Sequence, residues 1–205
     1  MTSKKLFPSY SHYINHQIKG ANRTHHRTYS HERLRIYLLK EMERWKVSSK
    51  SMLCVGARDK NEVEFFNKNG FKTTGFDIAA SEKLIVCDMS KMYQHGYFVG
   101  RKYDIVMSIE AMEHCLDLEG FIKGLNLVCK KYFVCMMTNL PKPTQWDCGE
   151  HPFMVKTAFN SDKPSKYSIK EFHQKLEETF TEFKIVMAEI HKRGTRLVFM
   201  LEKIK

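Results

Sequence analysis

Two carboxylates and two imidazoles occur where they could share one ion or one proton. Glu110 and Glu113 are three residues apart in an E-A-M-E-H run, so one helical turn places both carboxylates on the same side. His114 follows directly, and His151 lies further along in G-E-H-P. Carboxylates held together repel unless a proton or a cation lies between them, and oxygen ligands with imidazole suit Mg²⁺ or Mn²⁺. This pattern predicts a metal site or a proton-transfer site.

A second set of residues has the types and order of an adenosine-binding site. Gly56 ends an apolar run and allows a tight turn. Asp77 is the last residue of the next predicted strand, where an acid accepts hydrogen bonds from ribose hydroxyls. Asp88 follows the third strand and can accept the exocyclic amine of adenine, with Met89 packed on the ring. The loop at 56–60 has only one glycine, which does not suit a pyrophosphate and counts against NAD or FAD.

Alternating strands and helices are expected to position both sets. Hydrophobic periodicity predicts helices at 32–45, 61–69, 118–129 and 168–180. It predicts strands at 51–56, 71–77, 83–87, 103–109, 132–138, 183–188 and 197–202. This order predicts an α/β, Rossmann-like three-layer sandwich: a mainly parallel seven-stranded sheet with helices on both faces. Such sheets bind ligands beyond the carboxyl ends of their strands, where both sets of residues lie.

The ordered series Gly56, Asp77, Asp88 and Ser108, followed by E-x-x-E-H, resembles the class I S-adenosylmethionine-dependent methyltransferases over roughly residues 50–140. The resemblance implies S-adenosylmethionine as cofactor. It also implies cofactor contacts at Gly56, Ala57, Arg58, Asp77, Ile78, Asp88, Met89 and Ser108. The single-glycine loop departs from the family pattern. Arg58 therefore either pairs with the cofactor carboxylate or is a surface residue at the start of a helix.

The E-x-x-E-H run with a downstream Gly-x-His is similar to two narrower groups, the small-RNA 3′-terminal 2′-O-methyltransferases and the O-methyltransferases of ubiquinone synthesis. Both resemblances imply a metal ion that holds the acceptor hydroxyls. In this chain the ion would be bound by Glu110, Glu113, His114 and His151. In many related enzymes, the residues that correspond to Glu113 and His114 bind no metal and only fix the loop and the start of the helix. Without a metal, the expected catalytic residues are His114, His151 and Glu113.

Three functions stay open from the sequence. The first is O-methylation of a sugar or ribose hydroxyl, with or without Mg²⁺ or Mn²⁺. The second is metal-free methylation of a phenolic or glycan small molecule. The third is an inactive, RNA-binding module on a methyltransferase fold, with the degenerate glycine loop marking lost cofactor affinity.

Positive charge is concentrated near the N-terminus. The chain of 205 residues has a net charge of +11, and residues 1–40 hold eight Lys or Arg against Glu32 alone. Aromatic residues are mixed with these cations, which predicts binding of RNA or another polyanion; a solvated basic face is the alternative. The expected organisation is a basic arm or lid at 1–30 and a methyltransferase domain at 31–205.

The remaining composition favours a reducing, intracellular setting. The six cysteines form no C-x-x-C pair and several lie in apolar runs, as expected for buried free thiols. The sequence contains neither an apolar run long enough to span a bilayer nor the apolar core of a secretory signal. A cytoplasmic location without a membrane span is the resulting expectation.

Overall fold

A computed structural model describes residues 11, 12, 15, 18, 19, 28–115, 117–139, 167–191 and 196–204. The helices that cover its sheet are α1 (Thr28–Arg44), α2 (Lys60–Lys68), α3 (Leu118–Val128) and α4 (Ile169–Thr179). The strands are β1 (Ser51–Val55), β2 (Lys72–Asp77), β3 (Ile85–Val86), β4 (Tyr103–Ile109), β5 (Cys129–Thr138), β6 (Phe183–His191) and β7 (Arg196–Lys203). No helix in these ranges is long and apolar enough to cross a membrane.

The seven strands form one sheet in the order β3-β2-β1-β4-β5-β7-β6. The pairs β2–β3, β1–β2, β1–β4 and β4–β5 are parallel, whereas β7 is antiparallel to both of its neighbours. The predicted mainly parallel, seven-stranded α/β sheet is confirmed. Its first five strands follow the doubly wound order, which places a crevice between β1 and β4, where the direction of winding reverses.

Buried side chains separate into two clusters because alternate residues of a strand face opposite sides of the sheet. Leu53 and Val55 of β1 pack with α3 and α4, in a cluster rich in phenylalanine. Met52 and Cys54 of the same strand pack with α1 and α2. The sheet therefore has a hydrophobic core and a helical layer on each face, as the three-layer prediction requires.

Local signals fix where several helices begin. Ser168 caps α4 in a reciprocal capping box with Glu171, as the sequence predicted. Asp59 caps α2 by accepting the Asn61 amide. Helix α1 begins at Thr28, four residues before its predicted start and inside the predicted arm. Residues 1–27 lie mostly outside the described part of the chain, so the arm at 1–30 stays a prediction.

Strand bounds differ most from prediction at β3, β5 and β6, and β5 begins at Cys129, three residues before its predicted start. Strand β3 is only two residues long, shorter than the predicted 83–87, because it pairs with β2 alone. Strand β6 continues to His191, past the predicted 188, because β7 pairs with it along its whole length. Pairing with a neighbour, which local sequence does not encode, decides where these strands end.

Candidate active site

The predicted cofactor residues gather at the carboxyl ends of β1, β2 and β3. Gly56 follows β1 with φ +68, in the left-handed region that favours glycine. A side chain there would overlap the Cβ of Ala111, which follows β4, and would come within 3.6 Å of Met89. Three loops therefore converge on the Gly56 backbone, and a residue with a Cβ does not fit there without displacing Ala111.

Asp77, at the end of β2, is held by the loop that follows β1. Its Oδ2 accepts the Arg58 amide at 3.0 Å, and its Oδ1 accepts the Ala79 amide at 2.9 Å. Burial raises the pKa of Asp77, while these amides and the nearby Arg58 charge act against that rise. Each carboxylate oxygen can accept a second hydrogen bond, so both remain able to bind ribose hydroxyls. Two other predicted cofactor contacts are next to these hydrogen bonds in the chain: Arg58, which has φ +55, and Ile78, which is half-buried.

Asp88, after β3, has one satisfied and one unsatisfied carboxylate oxygen. Its Oδ1 accepts the amide of Ser90 at 2.9 Å and the hydroxyl of Ser90 at 2.6 Å, which caps the 3₁₀ turn at Met89–Gln94. Its Oδ2 is buried and receives no hydrogen bond. A buried acceptor without a donor is unfavourable, so this oxygen suits a ligand that brings an N–H group, as the adenine amine would.

Two further predicted contacts lie deeper. Ala57 is buried and donates its amide to the Phe76 carbonyl at 3.0 Å. Ser108 is fully buried within β4, between Val55 of β1 and Cys135 of β5. Met89, in contrast, is half-buried beside Gly56. The roles of Ala57, Ser108 and Met89 as cofactor contacts stay predictions.

The two acids after β4 have different surroundings. Glu110 has φ +50 and donates its amide to the Met136 carbonyl of β5 at 2.7 Å. Its carboxylate lies 2.5 Å from Nη2 of Arg196, the first residue of β7. Because β7 runs antiparallel to β5, with Thr138 opposite Arg196, its amino end lies at the same edge as the carboxyl end of β5.

Glu113 is almost completely buried, with 2% of its surface exposed. The amide and the hydroxyl of Thr138 both donate to its Oε1 at 3.3 Å. Its Oε2 is buried and has no hydrogen-bond partner among the residues that the structure describes. Burial, and next the charge of Glu110, raise the pKa of Glu113 to about 7. This carboxyl can therefore take up and release a proton near neutral pH.

The predicted metal tetrad is not assembled among the described residues. No group of three His, Cys, Asp or Glu side chains in those ranges could hold a metal ion. Arg196 provides the positive charge that two neighbouring acids require. His114 is half-buried in the 3₁₀ turn at Met112–His114, and His151 lies outside the described residues.

Sequence reasoning missed Arg196 and Thr138. Thr138 was within a predicted strand, and its position as the last residue before a loop was the available signal. Arg196 directly precedes the last predicted strand, but the antiparallel placement of that strand beside β5 was not predicted. Both residues come from the edge that Glu110 and Glu113 occupy.

Solved structures with the same fold were found, although no protein-family model matches the sequence and no curated protein is similar to it in sequence. One is a Burkholderia thailandensis 1,6-didemethyltoxoflavin-N1-methyltransferase with S-adenosylhomocysteine bound, at a TM-score of 0.61 and 11% identity over 97% of this chain and 92% of that one. The fold is that of S-adenosylmethionine-dependent methyltransferases.

Two other similar structures belong to different methyltransferases. The methyltransferase domain of bacterial CtHen1-CN has a TM-score of 0.52 and 14% identity, over 84% of this chain and 98% of that one. Magnesium protoporphyrin IX methyltransferase from Synechocystis PCC 6803, with S-adenosylmethionine bound, has a TM-score of 0.51 and 11% identity, over 84% and 79%. At sequence identities of 11–14%, structural similarity establishes the fold alone.

Proposed function

We propose that this chain is an S-adenosylmethionine-dependent methyltransferase that methylates a hydroxyl oxygen of a sugar or ribose. One observation carries the proposal: within the described ranges, and apart from the Glu110 oxygen that faces Arg196, two buried carboxylate oxygens at the same sheet edge have no hydrogen-bond donor. They are Oδ2 of Asp88, suited to an adenine amine, and Oε2 of Glu113, suited to an acceptor hydroxyl. Both lie beyond the carboxyl ends of parallel strands, where doubly wound sheets bind ligands.

The cofactor would be held by residues after β1, β2 and β3. The Gly56 turn would receive the methionine portion, with Arg58 beside its carboxylate, while Asp77 and Asp88 would bind ribose and adenine. S-adenosylmethionine supplies an electrophilic methyl carbon on a sulfonium when bound. The chain's remaining task is to orient an acceptor and to remove its proton.

Glu113 is the proposed base. The acceptor hydroxyl would give its proton to Oε2 of Glu113 as its oxygen takes the methyl group that S-adenosylmethionine would supply, with S-adenosylhomocysteine as the leaving group. Thr138 orients the carboxylate through Oε1. Arg196 neutralises Glu110, so Glu113 is the carboxylate left to act. His114 lies in the same turn and is a second proton acceptor in this proposal.

A metal-assisted form of the same reaction follows from the family resemblance and uses His114 and His151 with the two acids. It requires Glu110 to exchange its contact with Arg196 for one with Mg²⁺ or Mn²⁺. The donor set suits such an ion. We favour the metal-free form because Arg196 already supplies the balancing charge.

The first experiment is calorimetric titration with S-adenosylmethionine. We expect binding by the wild-type chain and at least about tenfold weaker binding by Asp88→Asn, whose amide can present an N–H to the adenine amine in place of an acceptor oxygen. Glu178→Gln, on the exposed side of α4, is the matched control. A chain that binds no cofactor would be the inactive RNA-binding module instead.

The second experiment measures methyl transfer to three hydroxyl acceptors, a short RNA, an oligosaccharide and a catechol, with and without EDTA. Transfer to the RNA or the oligosaccharide that persists in EDTA supports Glu113 as base. Loss of transfer in EDTA, restored by Mn²⁺ or Mg²⁺, supports the metal-assisted form. Transfer only to catechol supports the small-molecule alternative, and transfer only to amines contradicts the proposal.

The basic segment at 1–30 is the proposed arm or lid, with RNA or another polyanion as its partner. Eight cations against one acid in residues 1–40 support that role. The five described cysteines are buried free thiols, which supports the proposed reducing, cytoplasmic location.

A further inference from the structure

The edge of the sheet opposite the candidate site has a marked excess of positive charge. Strands β1, β2, β4 and β5 begin at this edge, and the four connections that lead into them are residues 44–50, 67–72, 99–102 and 128–131. We call them the amino-edge surface. Its cations are Arg44, Lys46, Lys50, Lys68, Lys72, Arg101, Lys102, Lys130 and Lys131, and the four connections contain no acidic residue.

Most of this charge is not neutralised. Arg44 pairs with Glu41 and Glu189, and Lys130 pairs with Asp104 at 3.5 Å. The other seven cations make no ion pair within the described ranges, and all but Lys131 are exposed. The excess ends at β6 and β7, where Lys184 and Lys203 pair with acids. The surface is thus a bounded positive patch.

Aromatic rings are interleaved with these cations. The Arg44 guanidinium lies 5.6 Å from the centroid of Trp45, which is 39% exposed. Arg101 lies 4.2 Å from the centroid of Tyr97, and Lys131 lies 4.9 Å from that of Tyr132. Both tyrosines are half-buried. Cations that track phosphates, together with rings on which bases stack, are the combination that single strands require.

The dimensions of the surface also suit such a strand. Neighbouring strands are about 4.8 Å apart, so β2, β1, β4 and β5 together span roughly 15 Å. That length accommodates several nucleotides. Positive charge alone is sufficient to bind an anionic membrane, and rings beneath the cations are not needed for it. The aromatic residues of this surface therefore favour nucleic acid as the ligand.

We propose that the amino-edge surface binds single-stranded nucleic acid. The surface lies about 20 Å from the candidate active site, across strands of five to ten residues. This binding goes beyond the proposed methyl transfer and does not depend on it, since no residue of the surface contributes to the cofactor or acceptor sites.

The test is fluorescence anisotropy of labelled uridine and thymidine oligomers of about 20 nucleotides. We expect the triple variant K50E/K72E/K102E to bind about tenfold or more weakly, with a log–log salt slope smaller by about 2. The control K123E/K170E/K175E changes three lysines on α3 and α4 and has the same net charge. Circular dichroism establishes that both variants are folded.

A second measurement reports stacking. In a Trp146→Phe background, Trp45 is the only tryptophan, and we expect its fluorescence to be quenched by the oligomer. Equal loss of affinity in both triple variants, unquenched Trp45 fluorescence, or tighter binding of anionic vesicles or of a duplex would overturn the proposal. Binding of RNA and DNA oligomers alike supports it, as does a preference for either.

Discussion

Glu110 and Glu113 show how the environment gives two similar side chains different properties. They are three residues apart in the chain, but Arg196 pairs with Glu110, whereas Glu113 is buried and one of its oxygens receives no hydrogen bond from the described residues. Catalytic acids and bases are often found where the surroundings shift the pKa values of neighbouring groups apart. The carboxyl with the pKa of about 7 is therefore the candidate for proton transfer.

Glu113→Gln should lower kcat by about 10²- to 10³-fold, because the amide cannot accept the proton. The wild-type rate should rise with pH through about 7, since only the ionised carboxylate acts as a base. The residual rate of the variant should lack this rise. Single-turnover kinetics from pH 5.5 to 8.5 would measure both. Full activity in the variant would remove Glu113 from the mechanism.

Gly56→Ala should weaken S-adenosylmethionine binding by about tenfold or more, because the added Cβ overlaps Ala111 and φ +68 strains an alanine. Gly96→Ala is the matched control, since a Cβ there has open space and no positive φ. Calorimetric titration compares the two variants. Similar affinities would mean that the ligand does not approach the Gly56 turn.

Among the elements, α4 offers a direct test of a sequence signal. Ser168→Ala removes the hydroxyl of the capping box and should lower the free energy of unfolding by about 1 kcal/mol. Ser48→Ala, at an exposed site before β1, should change it by less than about 0.5 kcal/mol. Urea denaturation measures both. An unchanged Ser168→Ala midpoint would show that tertiary packing alone fixes this helix start.

Helices and strands with a clear hydrophobic periodicity or a helix cap were predictable from the sequence. Strands whose bounds depend on pairing with a neighbouring strand were less predictable. The capping box of α4 and the apolar run of β4 were placed correctly because the residues involved are local in sequence. The truncation of β3 and the position of β7 depend on neighbouring strands. The position of Asp77 and Asp88, the acids proposed to bind adenosine, at the ends of individual strands was predictable, whereas the pair of Glu110 with Arg196 joins distant elements.

At the scale of the whole molecule, two buried carboxyls should make stability depend on pH. Glu62, between Cys54 and Arg35, has its pKa raised to about 7, mainly by burial, and Glu113 behaves alike. A carboxyl whose folded-state pKa lies above its unfolded value of 4.5 stabilises the fold fully below that pH. This contribution is lost as pH rises through about 7.

The double variant Glu62→Gln with Glu113→Gln should therefore gain stability relative to wild type as pH rises from 5.5 to 8. The relative gain should reach about 1–3 kcal/mol, because neither amide has to ionise inside the core. Thermal unfolding at matched ionic strength measures the difference at each pH. A difference that does not change with pH would mean that both carboxyls ionise freely in the folded chain.

The insertion of β7 between β5 and β6 has a consequence during synthesis. Residues 56–89, which include the proposed cofactor contacts after β1, β2 and β3, leave the ribosome long before Arg196 does. A nascent chain with β1 to β5 assembled would thus hold the carboxylates of Glu110 and Glu113 without their guanidinium neighbour. The β6–β7 hairpin brings Arg196 to this edge. The sheet is therefore completed, and the two acids gain their positive neighbour, in the same late folding step.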